Sequence, residues 1–132
     1  MTDLTDFERA ILRKLLSGDH SLLALFRQQL EVCRCAKREA TGVGFYTELD
    51  VSTYAGPRPE LDFKYGDVVA EIDGIKQGAG FVLYIEAGLL VLLEGYTFDE
   101  PWPDQIDSFK LSFINGENRD WQALTKLLDK RN

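Results

Sequence analysis

The side chains able to do chemistry in this 132-residue chain are mostly carboxylates and phenols. Glu48 with Asp50, Glu71 with Asp73, Glu86 and Glu94 fall in stretches of period two, interleaved with Tyr46, Tyr84 and Tyr96. Residues two apart in a strand share a face, so these groups gather on one side of whatever sheet the strands build. A carboxyl raised in pKa by burial and a charged neighbour can act as a general acid beside an ionised partner, as in glycoside hydrolysis. Solvent-facing strand positions are polar by default, and this simpler origin outweighs the catalytic one, because spacing fixes no carboxyl separation. No catalytic residue is therefore assigned. Tyr46, Glu48, Glu71, Tyr84, Glu94 and Tyr96 are candidate binding residues. Trp102 joins them, because Pro101 and Pro103 on either side fix its loop and present a large ring at little entropic cost. A Trp folded back to lid the sheet is the competing reading.

Other chemistries have less support. His20 is the single histidine, with no nucleophile or acid at a recognised spacing, and reads as a capping or surface residue. Cys33 and Cys35 fall in a stretch expected to be helical, where positions two apart point to opposite sides and cannot be bridged. As metal ligands they fall short of four even with His20. Gly74, Gly78 and Gly80 lead into a strand, so no helix start is available to hold a phosphate. Asp99-Glu100 runs at once into Pro101 and lacks the spaced oxygens of a calcium loop. No metal or cofactor is implied.

The formal net charge is −7. Nucleic acid and anionic membrane need clustered Lys and Arg, and the one cluster, Arg34, Lys37 and Arg38, falls where a helix is expected to end and complements its dipole. An acidic surface suits a basic protein partner and also keeps a protein soluble. Reduced cysteines and an N-terminus without a leader pattern predict a cytoplasmic protein. The length predicts a single domain over 1–132.

The elements that must position these residues follow from periodicity. Thr5 with Glu8 is a capping-box signal for a helix over 5–16, and Phe7, Ile11 and Leu15 form its apolar stripe. Asp19 or Ser21 caps a second helix through Leu22, Phe26, Leu30 and Cys33 to Thr41-Gly42. Strands are expected at 43–51, 67–73 and 109–113, with a short extended piece at 61–63, and a last helix begins at Asn118 or Asp120. The most apolar stretch, GAGFVLYIEAGLLVLLEGYTFDEPWP at 78–103, reads as two buried strands and a turn. A three-residue loop of Glu86, Ala87 and left-handed Gly88 pairs Ile85 with Leu89, Leu83 with Val91 and Phe81 with Leu93, giving one wholly apolar face. Val82, Tyr84, Leu90, Leu92, Glu94 and Tyr96 then occupy the other face. The expected fold is α+β: a helical hairpin and a C-terminal helix on one face of an antiparallel meander of about five strands.

The segments TGVGFYTE (41–48), SGDHSLLALFRQQL (17–30) and GAGFVLYIEAGLLVLLEGYTFDEPWP (78–103) resemble a family of small uncharacterised bacterial proteins, most specifically in the EGYT and EPWP portion. The resemblance implies a bacterial, cytoplasmic single domain and carries no activity. Small acidic immunity proteins that bind a toxin are an analogy of type. The expected function is a protein-interaction module, binding another protein or itself as a homodimer through the second sheet face. The alternative is a small-molecule binder or hydrolase using the same carboxylates. That face, with aliphatic side chains among its tyrosines, is expected to be covered by the 52–66 loop, the Trp102 loop or a second copy.

Overall fold

The computed structural model of the protein describes residues 1–130. The capping box forms as expected: the Thr5 hydroxyl accepts from the Glu8 amide, and the Glu8 carboxylate accepts from the Thr5 amide, opening α1 (Asp6–Leu15). The second helix, α2 (Ser21–Glu31), is capped by neither Asp19 nor Ser21 but by His20, in keeping with its reading as a capping residue: its Nδ1 accepts from the Leu22 amide. It also stops ten residues earlier than the helical spacing suggests. Arg34–Ala40 is a strand, β1, and not the end of a helix. The side chains of Lys37, Arg38 and Glu39 would suit either state, and pairing with the next strand decides between them. Arg34, Lys37 and Arg38 therefore lie on a sheet edge and have no helix dipole to complement. Cys33 and Cys35 are free and buried in this connection and strand.

The remaining elements are β2 (Gly44–Asp50), β3 (Phe63–Tyr65), β4 (Val68–Ile72), β5 (Ala79–Glu86), β6 (Leu89–Thr97), β7 (Phe109–Phe113) and α3 (Trp121–Leu128). All strand pairs are antiparallel, in the order β1-β2-β6-β5-β4-β7, with β3 pairing β5 beside β4. The fold is α+β, with seven strands among the described residues where about five were expected; β1 was hidden in a helical pattern, and β3 extends a short piece placed at 61–63. It is not a meander, because β6 inserts between β2 and the later strands.

The hairpin of β5 and β6 departs from the expected register. Its turn has two residues, Ala87 and Gly88, both with positive φ (51° and 73°), the geometry of a tight hairpin turn. Glu86 faces Leu89 and Ile85 faces Leu90; a bulge at Val91 then places Leu92 opposite Tyr84, Leu93 opposite Leu83 and Gly95 opposite Phe81. The bulge resolves the conflict that made this turn look poor. One extra residue lets Leu90 and Leu93, three apart, both reach the core. Leu90 thus belongs to the buried face, and Leu93 takes the place expected for Val91. Gln29, fully buried on α2, clamps the tip: its Nε2 donates to the Gly88 carbonyl at 2.8 Å and its Oε1 accepts from the Leu90 amide at 3.0 Å.

One face of the sheet carries Phe45, Leu49, Phe81, Leu83, Ile85 and Leu93 against Ile11, Leu15, Phe26, Leu30 and Leu128 of the helices. The carbonyls at the end of α1, which no helical amide satisfies, are taken up by side chains from distant positions. Arg119 donates to the carbonyls of Lys14, Leu15 and Ser17, Tyr65 donates to Leu15, and Arg27 donates to Leu16 and Gly18. Arg119 is itself held by the Asp67 carboxylate at 2.7 Å.

Candidate functional site

Alternation along β2, β5 and β6 turns Tyr46, Glu48, Val82, Tyr84, Leu92, Glu94 and Tyr96 away from the helices. The registers arrange them in cross-strand rows. One row runs Glu39, Tyr46, Glu94, Val82, and the next runs Lys37, Glu48, Leu92, Tyr84, Lys64. Five candidate residues, Tyr46, Glu48, Tyr84, Glu94 and Tyr96, are therefore brought onto one surface.

Glu94 is its centre. The Tyr84 hydroxyl donates to Glu94 Oε1 at 2.8 Å, while Tyr46, opposite Glu94 across the strands, stands 37 % exposed. The hydrogen bond to Glu94 pushes the Tyr84 phenol up to about 12, and the negative charge of Glu94 raises the Tyr46 phenol. Both phenols are protonated at neutral pH and act as hydrogen-bond donors there, not as bases. Lys64 Nζ lies 5.5 Å from the centre of the Tyr84 ring, close enough for a cation–π contact. Tyr96 lies across Gly80, where a Cβ would strike its phenol, and meets the Phe98 ring edge-on at 5.7 Å.

Glu71 sits further along the same face, opposite Lys110. Both line a shallow groove of about 760 Å³ with Val69, Ser112 and the exposed Phe98. Trp102 does not join this surface. Its ring packs edge-on against Phe45 at 5.2 Å and near Phe7 at 6.2 Å, and its amide donates to the Gly42 carbonyl at 2.8 Å. Half-buried there, it lids one end of the helix-side core.

Each loop expected as a cover reaches the tyrosines with one side chain, Lys64 at the Tyr84 ring and Phe98 at the Tyr96 ring. Leu61 is buried, and the Leu61 carbonyl and Asp62 carboxylate accept from the Gly88 and Ala87 amides at the hairpin tip. The 52–66 loop is thereby anchored at that tip.

Sequence reasoning missed Lys37 and Glu39, which extend the two rows, because both were assigned to a helix. The signal was present: Thr41-Gly42-Val43-Gly44 is turn chemistry with strand on both sides. It also read Glu8 only as a capping residue. Glu8 is 3 % exposed and accepts from Arg38 Nε and Nη2 at 2.9 and 2.7 Å and from the Thr47 hydroxyl at 2.6 Å. Burial alone would raise its pKa; the Arg38 guanidinium, the Thr47 hydroxyl and the Thr5 amide outweigh it and hold the carboxyl below its ordinary range. With these bonds made it is a structural ion pair, not an acid available for catalysis. Among the described residues no set of three or more His, Cys, Asp or Glu could hold a metal ion, and no helix is long and apolar enough to cross a membrane. In comparisons with protein-family models, curated proteins and solved structures, nothing matches the chain.

Proposed function

We propose that the protein is a non-catalytic interaction module that presents the Tyr46, Tyr84, Glu94, Tyr96 face to another protein surface. The supporting observation is the makeup of that face: two protonated phenols around one carboxylate, with Leu92 and Val82 half-buried beside them and Tyr46 exposed. Aromatic rings that combine apolar area with a polar tip are what interface anchors use. The net charge of −7 favours a partner whose surface carries basic groups around an apolar centre.

The test is affinity capture with the wild-type protein and with Leu92→Lys as parallel baits. The substitution alters the middle of the face without touching the core. Proteins enriched by the wild type and lost from the variant support the reading, provided both baits unfold at the same urea concentration. The same proteins enriched by both baits would overturn it. A small-molecule site at the same carboxylates would appear instead as a ligand that binds the wild type alone, with no protein captured.

A further inference from the structure

The outermost strand next to this face, β1, is open over part of its length. Thr2 exchanges both backbone hydrogen bonds with Cys35, at 3.0 and 2.8 Å, and closes the edge there. From Ala36 to Ala40 every residue is exposed. The Thr41 amide donates inward to the Gly44 carbonyl, and alternation along an antiparallel ladder then turns the backbone groups of Arg38 and Ala40 outward. Nothing among the described residues pairs with them. Edges of this kind are templates for another strand.

We infer that β1 pairs antiparallel with β1 of a second copy, about a twofold axis at Arg38, and that this edge is the self-association surface of the protein. The segment Ala36-Lys37-Arg38-Glu39-Ala40 is charge-complementary to its own reverse. In this register Lys37 of one copy faces Glu39 of the other, twice, and Ala36 faces Ala40. Opposite charges directly across a strand pair stabilise it, and like charges oppose it. The two Arg38 side chains meet at the axis, but each is already bound in a two-point ion pair by Glu8 of its own chain, at 2.9 and 2.7 Å. They meet as neutralised groups.

The other end of the sheet does not offer this fit. On β7 the outward groups of Phe113 are already bonded to Gly116, both at 2.8 Å, which blocks pairing about Leu111. The register that sets Phe109 opposite Leu111 places Lys110 against Lys110. Pairing through β1 continues the sheet across the axis and joins the two outer faces into one surface, so a partner bound by one copy lies beside a second site.

Five residues on each side make a small interface, well below the roughly 1,000 Å² of a stable complex, and two bodies of charge −7 repel at long range. Association is accordingly weak, on the order of micromolar or above, and best measured near 0.15 M salt, where the screening length is about 8 Å. Sedimentation velocity of the full chain over rising concentration is expected to show monomer passing to dimer. Lys37→Glu or Glu39→Lys alone should weaken dimerisation about tenfold or more by setting like charges opposite each other. The double exchange Lys37→Glu with Glu39→Lys should restore it, and Leu92→Lys should leave it unchanged. A wild type that stays monomeric throughout, single variants that dimerise normally, or a double variant that fails to recover would each overturn the inference. So would a dimer abolished by Leu92→Lys, which would move self-association to the tyrosine face.

Discussion

On the helix side of β2, Thr47 gives its hydroxyl to Glu8 and keeps no exposed surface, whereas Tyr46, one residue earlier, is 37 % exposed beside Glu94. Both positions combine a hydroxyl with a carboxylate, yet the two pairs are built differently. Glu8 is closed in by two points of Arg38, Thr47 and the Thr5 amide. Glu94 has one direct donor in Tyr84 and leaves acceptor capacity and an open phenol towards solvent. A buried carboxylate must be fully paired or it costs stability; an exposed one can stay incompletely paired and remain free to bind. The strands thus carry structure on one side and spare hydrogen-bonding capacity on the other.

The sharpest way to break that contrast is to truncate one aliphatic residue on each side. Leu83, with no exposed surface, should lose about 3–4 kcal/mol as Leu83→Ala, the range for a well-packed leucine. Leu92→Ala on the outer face should lose under roughly 1 kcal/mol. Urea unfolding of the two variants measures both. Comparable losses would mean that the outer face is packed against something, and the division between the faces would fail.

Glu8 tests the closed carboxylate and comes next in size. Glu8→Ala leaves Arg38 and Thr47 without their partner and should cost about 3 kcal/mol, the lower end for breaking a buried pair because Arg38 is partly exposed. A pH dependence goes with it. The folded carboxyl is held below its ordinary value, so at low pH the unfolded chain takes up the proton first. Its contribution is complete above the usual glutamate pKa of about 4.3 and fades as pH falls through the folded value. Glu8→Gln should therefore flatten the decline of the urea midpoint between neutral pH and about pH 3. Parallel declines in wild type and variant would place the acid sensitivity elsewhere.

The legible part of this fold was what alternation and capping control locally: the Thr5–Glu8 box, the strand through Phe45, Thr47 and Leu49, and the strand of Phe109, Leu111 and Phe113. Long-range pairing was not legible. Lys37 and Arg38 have no intrinsic preference strong enough to make a strand; β2 and Glu8 impose it. The hairpin register failed for a related reason, since a bulge at Val91 leaves no mark in an alternating pattern and only the core's demand for both Leu90 and Leu93 reveals it. The tyrosines and Glu94 were placed on one face because period two survives on either side of the bulge. Trp102 was separated from them by a loop path that follows from the Gly42 carbonyl and the Phe7–Phe45 pocket, neither of which spacing encodes.

The smallest expected effect concerns Glu94, and it sharpens the comparison from the open side. Glu94→Gln keeps an acceptor for the Tyr84 hydroxyl and removes the charge. Stability should change by under about 1 kcal/mol, because the group is partly exposed and water can replace what is lost. The phenols should respond much more. Tyr84, pushed up to about 12 by its bond to Glu94, and Tyr46, raised by the same carboxylate, should both fall towards the ordinary value of about 10. Tyr65 is raised by burial on the other side of the sheet, has no contact with Glu94 and should not move, so it serves as an internal reference. Carbon-13 NMR titration of ring-labelled tyrosine follows the five phenols of the chain one by one in the wild type and in Glu94→Gln. If the two outer phenols titrate alike in both proteins, Glu94 does not organise the face, and the surface is a set of independent side chains with no shared acceptor.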